Sequence, residues 1–146
     1  MRKILLAFDG TNFSMGAFDF ARRMNLHSPI LLTGVFLPQV NYANIWSYAG
    51  SAAMSPMFIP MVEDEDATAI EKNIAKFEAL CDRNMIDYHV HRDFTDFALP
   101  ALIKETRFAD LLIIGSESFY ENLGLNELNE SVKDALHGSE CPVLVV

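Results

Sequence analysis

"KILLAFDGTNFS", Lys3 to Ser14, decides how the chain is read. Ile4 through Phe8 is apolar without a break, and then Asp9-Gly10 stops the run. A strand of that kind is buried on both faces, as in a parallel sheet sandwiched between helices. The polar residues after Gly10 suit a turn into a helix, with Thr11 or Asn12 as the cap. The stretch therefore predicts strand, short turn and helix in succession.

The same unit recurs outward from it. Apolar runs predict strands at Lys3–Asp9, Pro29–Phe36, Ile86–Arg92, Asp110–Gly115 and Pro142–Val146. A first helix is expected from about Ser14 to Leu26, with Ala17, Phe18, Ala21 and Met24 as its buried stripe. A second repeats Ile70, Ile74, Phe77 and Cys81; Thr68 with Glu71 has the spacing of a capping box, while the acidic run Glu63–Asp66 reads as an earlier, solvated helix start. A third carries Leu99, Leu102 and Ile103; Pro100 lacks an amide proton, so that helix begins only shortly before it. A fourth carries Leu128, Val132, Ala135 and Leu136 and ends at His137-Gly138. Strict alternation of strand and helix makes the class α/β with a parallel sheet, one domain over residues 1–146. In such sheets ligands bind beyond the C-terminal ends of the strands. The positions to watch are Asp9-Gly10, Phe36-Leu37, Asp93-Phe94 and Gly115-Ser116.

Composition narrows the function. The formal net charge is −9, which argues against general nucleic-acid binding and against docking on anionic lipid. No apolar run approaches the roughly 20 residues that span a bilayer, so no membrane segment is expected. The apolar run after Met1-Arg2-Lys3 is too short for a signal peptide. Cys81 and Cys141 form no CxxC pair and read as reduced thiols of a cytoplasmic protein.

Three stretches together resemble a known family. "KILLAFDGTNFS", "ADLLIIGS" and "SECPVLVV" are similar, in that order, to the opening, fourth-strand and closing signatures of the universal stress protein domain. The resemblance spans the chain. It implies a three-layer sandwich of the adenine nucleotide alpha hydrolase-like kind, with a five-stranded sheet in the order 3-2-1-4-5 and helices on both faces. It also implies a homodimer and a role in stress tolerance rather than a defined reaction. The pocket it implies is formed by Asp9, Gly10, Thr11, Val35, Gly115, Ser116 and Ser118. In the nucleotide-binding branch of the family, the residue matching Asp9 contacts base or ribose, and one near Val35 lies beside the base.

That branch carries G-x2-G-x9-G-[ST] after the fourth strand, and this sequence departs from it. Gly115 fills the first position, but Ser118 stands at the second. Counting on places Leu128-Asn129 at the last pair; counting back from Cys141-Pro142 places Asn129-Glu130 there. Neither restores the motif. Glycines at those points let backbone amides converge on phosphate oxygens. Here Glu117, Glu121, Glu127 and Glu130 stand instead, and Lys133 is the one Lys or Arg between Gly115 and Cys141. Two unit charges about 4 Å apart repel by about 4 kcal/mol at an effective dielectric near 20, and by less when exposed. ATP would then need Mg²⁺ to bridge phosphate and carboxylate.

Other features have simpler readings. Asp87, His89, His91 and Asp93 alternate on one face of the third strand. They suit an edge strand protected by polar residues better than a metal site, and no metal is expected. No Ser–His–Asp or Cys–His set is visible, so no catalytic residue is expected. The stretch from 37 to 66 is long and rich in large apolar residues, among them Trp46 and Phe58. It reads either as a lid or partner surface or as extra cover for the core. Val143, Leu144 and Val145 form an unprotected edge, the place where a dimer would pair.

The resulting expectation is a non-catalytic stress-response protein. It binds a small ligand or a protein partner at the switch-point pocket, without the standard ATP site. The alternative is a nucleotide-binding relative using ATP and Mg²⁺, with slow ATPase or kinase-like turnover.

Overall fold

The computed structural model describes residues 1–9, 12–37, 64–91, 98–115 and 137–146. Its elements are β1 (Arg2–Asp9), α1 (Met15–His27), β2 (Ile30–Leu37), α2 (Asp64–Arg83), β3 (Asp87–His91), α3 (Ala98–Thr106), β4 (Leu111–Ile114) and β5 (Val143–Val145). The five strands form one parallel sheet in the order β3-β2-β1-β4-β5. The predicted class and the implied strand order are both observed.

The order explains which helix covers which face. From β1 the chain steps outward to β2 and β3, then returns past β1 to β4 and β5. Right-handed crossovers on opposite journeys lie on opposite faces. Accordingly Ile4, Leu6 and Phe8 of β1 pack with Ala17 and Phe18 of α1 and with Ile74 and Phe77 of α2. Leu5 and Ala7 face the other way, towards Leu102 of α3, Val35, Leu112 and Ile114. Period-two alternation thus splits one apolar strand between two cores, which is why Ile4 to Phe8 carries no polar residue.

Phe77 is the hub of the first core. Its ring meets Phe8, Phe36 and Tyr88 edge-on, with centroids 5.9, 6.0 and 5.9 Å away. Edge-to-face contacts at this range add to the area that the rings bury. Gly34 makes the room: a Cβ there would stand 3.0 Å from Phe77 Cε1.

One helix cap differs from expectation, and one helix starts at the acidic run read as its beginning. The cap of α1 is Ser14, not Thr11 or Asn12; its Oγ accepts a hydrogen bond from the Ala17 amide at 3.3 Å. Ser14 is the last extended residue before the helix, so its side chain alone reaches the third amide of the first turn. Helix α2 begins at Asp64, a turn ahead of Thr68, so Thr68 and Glu71 do not open it. Pro100 sits in the first turn of α3, as its missing amide requires.

Helix α2 closes in a Schellman motif. The Ile86 amide donates to the Cys81 carbonyl at 3.0 Å, and the Met85 amide to that of Asp82 at 3.2 Å. Met85 holds the left-handed position, φ 52°, where glycine is the usual residue.

The strand starts are tied together at the opposite end from the predicted pocket. The Lys3 amide donates to Asp110 Oδ2 and the Asp110 amide to the Lys3 carbonyl, both at 2.8 Å. The Glu140 amide donates to Thr106 Oγ1 at 3.0 Å, and Arg107 pairs with Glu140 at 2.7 Å. These contacts lock the end of α3 to the approaches of β4 and β5.

Candidate functional site

The chain leaves β1 towards β2 on one side, while β4 lies on the other side. This is the reversal of strand order where α/β sheets leave a crevice. Asp9 ends β1 in register with Leu37, the last residue of β2. Gly115 follows Ile114, which pairs with Ala7. The two strand ends named from sequence are therefore neighbours.

Gly115 and Ser14 join the end of β4 to the start of α1. A Cβ at Gly115 would overlap both Oγ and Cβ of Ser14, and would stand 3.8 Å from Ala17 Cβ. Only a glycine lets the end of β4 settle onto the first turn of α1. Ser14 is 3% exposed and its Oγ is occupied by the Ala17 amide. The amides of Met15 and Gly16, one turn too early for intrahelical acceptors, remain at that helix end. Among the described residues, a Cβ at Gly16 would meet nothing within 4 Å. A helix N-terminus of this kind attracts an anion or a polar ligand group.

The other predicted pocket residues divide. Val35 is buried in the second core, two residues before the end of β2. Gly10, Thr11, Ser116 and Ser118 lie outside the described residues, as do Glu117, Glu121, Glu127 and Glu130 and most of the predicted fourth helix. Residues 38–63, the greater part of the long apolar stretch, lie outside them too.

The histidine strand behaves as an edge. In β3, Asp87 and His89 are exposed and Val90 is buried, while Tyr88 turns inward to Phe77. Asp93 lies outside the described residues. Among the described residues no three His, Cys, Asp or Glu gather as a metal site. His91 Nε2 and Thr33 Oγ1 are the buried side-chain atoms without a hydrogen-bond partner among the described residues, a detail that sequence did not signal.

Both cysteines are free and buried. Burial pushes the Cys81 thiol up to about 12, helped by the charges of Asp82 and Glu78, so it is no nucleophile. Among the described residues no helix is long and apolar enough to cross a membrane.

The arrangement of strands and crossovers has counterparts among solved structures. Universal stress protein UspA from Lactobacillus plantarum superposes with a TM-score of 0.64, covering 99% of this chain and 97% of its own, at 12% identity. The chain has the universal stress protein fold. A universal stress protein from Archaeoglobus fulgidus matches with a TM-score of 0.56 at 12% identity, covering 99% of this chain and 93% of that one. A protein of the universal stress protein family from Burkholderia pseudomallei matches at 0.54 and 16% identity, covering 99% and 95%. No protein-family model and no curated protein matches the sequence. At these identities the likeness concerns the fold, and function has to come from the site.

Proposed function

We propose that this chain is a universal stress protein that binds a small ligand or protein partner at the β1–β4 crevice and catalyses no reaction. The observation that carries the reading is the seating of Gly115 on Ser14. It supports a kept nucleotide-site scaffold, with a glycine strand end and two helix amides, Met15 and Gly16, turned to one crevice.

The residues beyond Gly115 argue against the standard ATP site. Ser118 and Asn129 or Glu130 replace the residues that would admit phosphate, and four glutamates share a stretch with one lysine. An anion held by two amides gains far less than one cradled by a full glycine loop. The ligand that suits such a site carries less charge than ATP.

The dimer forms through the β5 edge, Val143, Leu144 and Val145. Val145 is 47% exposed at the sheet's border, and a bare apolar edge invites pairing.

The test is the mass of the freshly purified protein under native and denaturing conditions. A native dimer is expected, with any excess over twice the chain mass too small for a nucleoside triphosphate. A dimer carrying the mass of ATP would favour nucleotide binding with slow turnover instead.

A further inference from the structure

Strand β2 is apolar except at one place. Thr33 stands in the middle of ILLTGVFL, 1% exposed, and its Oγ1 has no hydrogen-bond partner among the described residues. Among those residues one other buried side-chain atom shares that condition, Nε2 of His91 on the neighbouring strand β3. Buried hydroxyls and ring nitrogens are normally bonded, so two orphans on adjoining strands call for a reason.

The register puts both on one part of the sheet. His91 pairs with Val35, and His89 with Thr33. Leu32 and Val90 belong to the first core, so by alternation Thr33, Val35, His89 and His91 face the second. Thr33 and His91 are then diagonal neighbours on that face, with Cα atoms roughly 8 Å apart, a span that an aromatic ring covers. His89, on the same face of the same strand, is exposed, while His91 keeps its Nε2 out of water. Protection of an edge strand asks for polar groups turned to solvent, and that accounts for His89 but not for His91.

The layer on this face is α3, which packs on β2 and places Leu102 in the second core with Ala7 and Val35. Its far end is fastened. Lys3 pairs with Glu105 at 2.9 Å, and Thr106 Oγ1 takes the Glu140 amide. Val35 and His91 lie towards the other end, in the rung next to the pair Asp9 and Leu37 that closes β1 and β2. A ligand that reaches the two orphans therefore comes from the crevice.

We propose that Thr33 and His91 bind the amide end of an uncharged small molecule whose apolar part lies along Val35. A hydroxyl both donates and accepts, and an imidazole nitrogen does one or the other. Two such atoms on separate strands suit a group that presents donor and acceptor on two atoms of its own. An amide does so, whereas an alcohol offers a single oxygen for both. Ala7, Val35 and Leu102 supply no countercharge, so burying an ionic group among them is costly. This inference deepens the function proposed above and rests on it for the way in.

The probe is benzamide, with benzoate and benzyl alcohol as its charged and alcohol counterparts, and the His91 ring resonances read binding by NMR. Benzamide is expected to shift them saturably, about tenfold more tightly than either counterpart. Thr33→Val keeps the shape and removes the hydroxyl. It is expected to weaken benzamide at least several-fold and to raise the denaturant midpoint of the chain without probe, because an orphan has gone. Thr33→Ser keeps the hydroxyl and is expected to keep the binding. No saturable shift, equal affinity for the three probes, or full affinity in Thr33→Val would overturn the proposal. A midpoint raised by Thr33→Val with no benzamide response would mean an internal water only, and would overturn it too. If the purified chain still carries a small molecule while benzamide gives no response, the crevice reading stands and this inference alone falls. Tight ATP binding would sink that reading and leave the His91 response to be judged by itself.

Discussion

The backbone of Gly115 at the end of β4 rests against the Ser14 side chain that caps α1, leaving no space for a Cβ between them. Strand end and helix start are thus a single packed unit at the crevice. Gly115→Ala must push apart a buried cap and a central strand, so it should destabilise the fold by about 1–3 kcal/mol, the usual cost of overpacking. Ser14→Gly removes both clashing atoms, and capping glycine costs only a few tenths. In the Ser14→Gly background the Gly115→Ala penalty should therefore shrink. Urea unfolding of the four proteins gives this coupling directly.

Phe77 is touched by four other aromatic rings and is wholly buried. Phe77→Ala should cost about 3–5 kcal/mol through lost transfer energy and a cavity that α2 cannot collapse to fill. That is a large share of the stability of a typical domain. Phe77→Leu should cost clearly less, and a denaturant midpoint for each variant tests the ranking.

Met85 carries a left-handed φ that glycine adopts freely. Met85→Gly should stabilise the isolated chain by about 0.5–1 kcal/mol, the steric relief outweighing the added freedom of the unfolded state. Thermal unfolding at low protein concentration, where association is absent, reads the effect. A lowered midpoint would contradict the backbone argument.

The Cys81 thiol sits in the first core with its pKa raised from 9.0 to about 12, chiefly by burial and then by Asp82 and Glu78. Here the folded state binds the proton more tightly than the unfolded one. The stability this contributes is complete below pH 9 and is lost as pH climbs towards about 12. Cys81→Ala should flatten that alkaline decline while lowering stability at neutral pH. At pH 8 a thiol reagent should leave Cys81 untouched until denaturant is added.

Much of the fold is legible in the chain. Continuous apolar runs such as Ile4–Phe8 mark strands covered on both faces, and the observed sheet has that arrangement. The strand order comes from resemblance across three signatures, because periodicity alone does not order parallel strands. The cap of α1 is not legible, since Thr11, Asn12 and Ser14 all have capping side chains and only the backbone turn selects among them. The start of α2 is legible in the acidic run Glu63–Asp66, which reads as a solvated helix start, and the helix begins at Asp64. At the crevice, Asp9 and Gly115 are legible as strand ends, but the fit of Gly115 onto Ser14 joins residues a hundred positions apart and needs the fold. Met85 and Phe108 look like core residues until the turns that expose them are known.

The central claim is that the crevice keeps the scaffold of a nucleotide site without its phosphate grip. Calorimetric titration of the purified chain with ATP and Mg²⁺ tests it most directly. No saturable binding tighter than about 10 μM is predicted. Tighter binding that disappears in an Asp9→Ala variant would contradict the claim.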